Sequence, residues 1–168
     1  MRIAVVVGNP KPGSRTLGVA RAVADELGKA LGASSADHLV VDLAEHAGSL
    51  FDPASERLAE LTAQVAASTL LIAASPTYKA SYTGMLKAFF DRYGSGGLTG
   101  LVAVPVMTGA GAAHALAAEV HLRPVLVELG ATVPARALYV TEAELPELDT
   151  SVAKWAAGAI PLLRRALG

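Results

Sequence analysis

Three short stretches carry residue types that can hold a ligand. The first is Gly8-Asn9-Pro10-Lys11-Pro12-Gly13-Ser14-Arg15-Thr16, placed directly before an apolar run of helical period. Hydroxyls at 14 and 16, a forked guanidinium at 15 and the free amides of a helix start together form a donor set for an anion, a phosphate above all. The pattern is neither Gly-x-x-x-x-Gly-Lys-[Ser/Thr] nor Gly-x-Gly-x-x-Gly, since the glycines stand at 8, 13 and 18 and Pro occupies position 10. Nucleoside triphosphates and ordinary dinucleotide clefts therefore lose ground, while a phosphate seat of another type remains. The plain alternative is a capped helix start, with Ser14 or Thr16 as the cap.

The second stretch is Ser75-Pro76-Thr77-Tyr78-Lys79-Ala80-Ser81-Tyr82-Thr83. Pro76 stiffens it, and its hydroxyls, single ammonium and backbone amides exceed what a simple connection needs. The third is Thr108-Gly109-Ala110-Gly111-Ala112-Ala113-His114, whose glycines let a flat ligand approach the backbone. Taken singly, each of these also reads as a solvated turn.

The flanking elements make the three stretches neighbours. Apolar or β-branched runs at Arg2–Gly8, His38–Leu43, Leu70–Ala74 and Leu101–Met107 read as buried strands, and Gly130–Val133 with Arg136–Thr141 reads as a fifth, interrupted at Pro134. Helical patterns cover Leu17–Leu31, ending at Gly32, then Ala54–Ser68, the segment from Gly84, Ala115–Leu129 and Thr150–Leu167. The alternation predicts an α/β fold of about five parallel strands with helices on both faces. In the order 2-1-3-4-5 the polar stretches follow three consecutive strands, and all open on the crevice at the switch point. Several local expectations follow. Pro105 should cause a bulge or a strand end. Pro124 should kink its helix near Val120 or His121, with a π-bulge as one way to absorb the break. Pro161 should bend or restart the last helix, with Trp155, Ala159, Leu162 and Leu163 facing inward. Asp42 reads as a strand-end polar residue, and His38 and His46 as surface histidines without ligand partners.

Composition narrows the class. The chain has 168 residues, 52% apolar and 17% charged, with net charge −1 and no cysteine. One domain spanning 1–168 is expected. Near-neutral charge gives no footprint for nucleic acid or an anionic membrane, and no apolar run approaches a bilayer span. The missing cysteines exclude disulfide, thiolate-metal and thiol redox chemistry. A cytoplasmic protein is expected.

The three stretches, together with Gly84-Met-Leu-Lys-Ala-Phe-Phe-Asp91 and Leu122-Arg-Pro-Val-Leu126, resemble the NADPH-dependent FMN reductase family, of flavodoxin-like fold. They are most similar to flavin reductases that partner two-component alkanesulfonate monooxygenases. The likeness runs through nearly the whole chain in order, and Pro-x-Tyr-Lys-x-Ser-x-x-Gly-x-Leu-Lys is its most specific part. It implies a flavodoxin-like three-layer sandwich with a five-stranded parallel sheet in the order 2-1-3-4-5.

The resemblance also implies FMN as cofactor and NADPH or NADH as hydride donor to flavin N5. Ser14, Arg15 and Thr16 would seat the phosphate. Pro76, Thr77, Tyr78 and Lys79 would run along the isoalloxazine, and Thr108, Gly109 and Gly111 would close its other edge. Asn9, Leu17, Ser81, Ala110 and His114 join the set of flavin contacts. No residue is assigned proton transfer, and Lys79 with nearby amides would steady the anionic reduced ring. A homodimer or homotetramer is implied, and so is a π-helix in the fourth helix, where the family's usual Tyr is replaced by Val120 or His121. Lys11 and Arg15 are the cations available for a 2′-phosphate. Three other readings remain: a tightly FMN-bound reductase of quinones, azo dyes or metal oxyanions, a non-enzymatic flavodoxin-like electron carrier, and a phosphate-binding domain without flavin.

Overall fold

The computed structural model describes residues 1–168. Five apolar runs form β1 (Ile3–Val7), β2 (Leu39–Asp42), β3 (Leu70–Pro76), β4 (Val102–Gly109) and β5 (Leu138–Thr141). All pair in parallel in the order β2-β1-β3-β4-β5. Strands covered on both faces need apolar side chains throughout, and β1 and β3 are buried at every position.

Helices fill both sides. α1 (Arg15–Leu31) and α5 (Leu148–Leu167) cover one face, where Val19, Val23 and Leu27 meet Val5, Ile72, Val104 and Leu163. α2 (Glu56–Ala66), α3 (Gly84–Phe90) and α4 (Arg123–Glu128) cover the other, where Leu58, Leu61, Phe89, Phe90 and Leu126 meet Val6, Leu71 and Ala103. The result is the expected three-layer sandwich. No helix is long and apolar enough to cross a membrane.

The prolines behave differently from one another. At Pro105 the structure corrects the expected bulge: the register runs on unbroken, with Ala73 opposite Pro105 and Ala74 opposite Val106. The reason is parity. The Ala103 N–H donates toward the β5 side, to Thr132 O, so Pro105, two residues on, faces the same side. There β5 pairing begins only at Val106–Leu138, and no ladder bond is lost. At Pro124 the expected π-turn forms over Ala118–Leu122, with Arg123 N–H bonded to Ala118 O. A short 3-10 turn, Ala112–His114, precedes the segment read as the fourth helix, which itself divides into the π-turn and the α-helical Arg123–Glu128.

Pro161 lies within one helix, α5, with no restart. Val152, Ala156, Ala159 and Leu163 form its buried stripe. Leu162, expected inward, is exposed, one position off that stripe. His38 also departs from expectation. Its side chain is only 7% exposed, with Nδ1 3.6 Å from Asp25. It packs against Gly28, where a side chain would crowd it.

Candidate functional site

The phosphate-type corner is built from both of its neighbours. Ser14 caps α1 by accepting the Leu17 N–H at 3.2 Å. The amides of Arg15 and Thr16, first in the helix, have no acceptor in the protein. Gly13 turns the chain at φ +59, and its N–H donates to the Asp42 carboxylate at 3.0 Å. Asp42 also accepts the Ala44 N–H, and it is 4% exposed. It is therefore more than a strand-end polar residue: it ties the loop to β2 from behind. On the sequence alone Asp42 has no local signal, because its partner lies 29 residues away. Asn9 Oδ1 accepts the Lys11 N–H, and Asn9 Nδ2 donates to Thr16 Oγ1 at 3.2 Å. Thr16 Oγ1 shares a 2.8 Å hydrogen bond with Thr108 Oγ1, which joins the first corner to the third.

The second corner is fixed by its helix cap. Thr83 caps α3 by accepting the Leu86 N–H, donates its hydroxyl to Gly8 O, and gives its N–H to Ser75 Oγ. Gly8 lacks a side chain because one would overlap Leu86 at the start of α3. Between these anchors Tyr78 and Ser81 exchange backbone hydrogen bonds across a two-residue turn. Lys79 and Ala80 occupy that turn at φ +50 and +66, the left-handed region that ordinary residues avoid. Thr77 N–H donates to Thr108 O at 2.7 Å, holding the second corner to the third.

The third corner narrows at Gly109, where any side chain would collide with the Tyr139 hydroxyl. That hydroxyl donates to Gly111 O at 3.2 Å.

These pieces enclose a cleft of about 370 Å3 at the carboxyl edge of the sheet. Its walls include Asn9, Ser14, Arg15, Thr16, Pro76, Thr77, Tyr78, Thr108, Gly109 and Ala110, ten of the residues expected to touch a flavin. Five others stand elsewhere. Leu17 is buried in the core behind α1. Lys79 and Ser81 belong to the turn beyond Tyr78. Gly111 carries the carbonyl that meets Tyr139, and His114 lines a separate groove with Ala80, Val120 and His121. The sequence reading also missed a fourth wall. Val140, Thr141, Glu142 and Leu145, from the end of β5 and the 3-10 turn after it, line the cleft. Arg15, assigned to phosphate, donates to Glu142 at 2.8 Å across the mouth. That turn is firm. Glu144 accepts from Thr141 N–H at 2.8 Å and from Thr141 Oγ1 at 2.7 Å, and these hydrogen bonds hold its carboxyl below the usual carboxylate range.

The cleft suits FMN on two observations. Unpartnered amides beside Ser14 and Thr16 hydroxyls suit its phosphate, and Thr77, Tyr78, Gly109 and Ala110 line the same cleft, where a flat ring can lie against loop backbone.

Comparison with known proteins agrees. The family model for NADPH-dependent FMN reductase matches residues 1–144. The NADH-dependent FMN reductase SfnF of Pseudomonas putida is 35% identical over 129 residues, covering 74% of this chain and 68% of its own. An FMN reductase (NADPH) of Pseudomonas aeruginosa is 33% identical over 147 residues, covering 84% and 77%. Among solved structures, an oxidoreductase from Corynebacterium diphtheriae superposes with TM-score 0.83 at 26% identity, covering 98% of each chain. An NADH:FMN oxidoreductase in its apo form gives 0.76 at 27%, covering 93% and 88%. A fold of flavodoxin type, a cleft at the carboxyl edge of the sheet and a family match over residues 1–144 place this chain in the NADPH-dependent FMN reductase family.

Proposed function

We propose that this protein takes FMN as an exchanging substrate, reduces it with NADPH or NADH, and releases the reduced flavin to a separate flavin-dependent monooxygenase. FMN reduction follows from the family. The observation that carries the exchange reading is the open, exposed character of the phosphate seat, whose Arg15 side chain is 68% exposed and already shared with Glu142. Bound FMN supplies the hydride-accepting ring. The chain's own part is placement. Amides of Arg15 and Thr16 with the Ser14 and Thr16 hydroxyls would receive the phosphate. Thr77 and Tyr78 would flank the ring on one side, and Gly109 and Ala110 on the other. Lys79, on the turn beyond Tyr78 and outside the cleft wall, would contribute only a positive field to the reduced, anionic flavin. No side chain is needed to move a proton.

Further parts of the reading rest on less. The relative named SfnF is described as NADH-dependent and other relatives as NADPH-dependent, so either donor is proposed. Self-association is proposed through the face bearing Leu116, Val120 and Val127, all more than half exposed. A cytoplasmic location is proposed from the cysteine-free composition.

The test is NADPH and NADH oxidation in air by flavin-stripped protein, with FMN varied from trace to large excess. A rate that saturates in FMN as in a substrate is the expected result. A rate that levels off at one FMN per subunit and needs added quinone would replace this reading with the prosthetic one. No oxidation at any FMN level would overturn both.

A further inference from the structure

We propose that Glu142 is a built-in competitor for the phosphate seat, and that it sets how readily the protein lets flavin go. This rests on the FMN-reductase reading of the cleft and adds a specificity-determining residue to it.

Two cations, Lys11 and Arg15, line the cleft, and only Arg15 belongs to the helix start that receives the anion. Its guanidinium donates through Nη2 to Glu142 Oε1 at 2.8 Å. Glu142 lines the same cleft, so its carboxylate stands beside the place where a phosphate must sit. An arriving phosphate then meets two obstacles. It must share or displace a carboxylate from the one forked donor, and it must lie close to a like charge. Neither obstacle is large. The ion pair is exposed on both sides, 68% and 50%, and such pairs hold weakly. That is the signature of a tuning element rather than a block.

Glu142 cannot simply swing away with a mobile loop. It follows Thr141, whose N–H and hydroxyl are both held by Glu144, and the 3-10 turn leads directly into α5. The chain therefore keeps a carboxylate at the mouth of an anion site. A protein retaining a prosthetic FMN would gain from a neutral or basic residue there.

The acting part of the ligand is its phosphate, which gives the experiment an internal control. Binding of FMN and of riboflavin, which lacks the phosphate, is measured by quenching of flavin fluorescence on wild type and Glu142→Gln. FMN release is followed by stopped flow into excess apoflavodoxin. Glu142→Gln is expected to tighten FMN roughly three- to fivefold, to slow its release by a similar factor, and to leave riboflavin unchanged. In turnover it lowers KM for FMN. Unchanged or weaker FMN binding, or equal tightening of riboflavin, overturns the proposal while leaving the FMN-reductase reading intact. Failure of wild type to bind FMN overturns both. Circular dichroism of the variant checks that it is folded, and Arg15→Gln, expected to weaken FMN but not riboflavin, reports on the same seat from the other side. An Arg15→Gln variant that leaves FMN binding unaltered also overturns the proposal.

Discussion

At the scale of single residues, the cleft depends on atoms that are missing as much as on those present. Gly109 is the sharpest case, since a Cβ there would run into the Tyr139 hydroxyl. Gly109→Ala should therefore push Tyr139 off its contact with Gly111 O and narrow the ring slot. The expected outcome is at least a tenfold loss of FMN affinity, of order 1.4 kcal/mol or more. Tyr139→Phe removes the colliding oxygen and should recover part of the loss. Fluorescence titration of the two single variants and the double variant gives the coupling directly, and strictly additive effects would contradict the steric account. These residues also mark the limit of sequence reading. Ser14, Thr16 and Thr108 announce themselves by type and place, because a helix start or a small-residue turn is a local pattern. Asp42 and Glu142 do not, because each acts on a partner far along the chain, and only the folded sheet brings β2 and β5 beside the first loop.

Elements were legible where a period ran long enough. Leu17, Ala20, Val23, Ala24 and Leu27 form the buried stripe of α1 as their spacing predicts, and Gly32 ends that helix in the left-handed region. Short, tertiary-dependent pieces were not. Pro105 breaks no ladder because of which edge its nitrogen faces, a fact of pairing and not of local sequence. Pro124 signals a break in its helix with a π-turn as one way to absorb it; the turn forms over Ala118–Leu122, and its structural use has no signal in the sequence. It presents Glu119 and Arg123 together at the crossover into β5. Arg123 donates to Glu119 at 2.5 Å and to Val133 O and Ala135 O at 2.6 Å, while Glu119 accepts the Ala137 N–H. The pair replaces strand pairing for the segment that lacks it. The Arg123 hydrogen bond, followed by that from Ala137, holds the Glu119 carboxyl below its ordinary value of 4.5. A carboxyl whose folded pKa is depressed stabilises the fold above its unfolded pKa, and that stabilisation fades as pH falls through the folded value. Glu119→Gln should accordingly lower the melting temperature at pH 7 and flatten its decline below about pH 4.5. Thermal melts from pH 7 down to pH 3 check this. A variant with the wild-type slope in acid would mean that Glu119 contributes nothing through its charge.

At the scale of the whole molecule, one sheet carries two separate cores, and the site lies at its edge. β4 divides its residues between them, Val104 and Val106 to the α1–α5 face, Ala103 and Met107 to the other. All the ligand-facing loops rise from the carboxyl ends of the strands, so binding energy acts on loops anchored in both cores. FMN that binds only the folded chain should raise its stability by about 2.7 kcal/mol at a hundredfold excess over Kd. For a chain of this length that is a rise in melting temperature of about 5–10 °C. Differential scanning fluorimetry with FMN, with riboflavin at the same concentration and with inorganic phosphate alone separates the ring contribution from the phosphate contribution. No shift with FMN would mean that the cleft does not bind it in the folded state.

The bridge from Arg15 to Glu142 joins residues 127 positions apart. The cleft's walls run along the chain from Asn9 to Leu145. During synthesis the first corner therefore emerges before β5 and the turn after it, which complete the mouth. A complete seat for flavin therefore waits for the segment around Glu142, and the timing is written into which two distant segments the cleft must bring together.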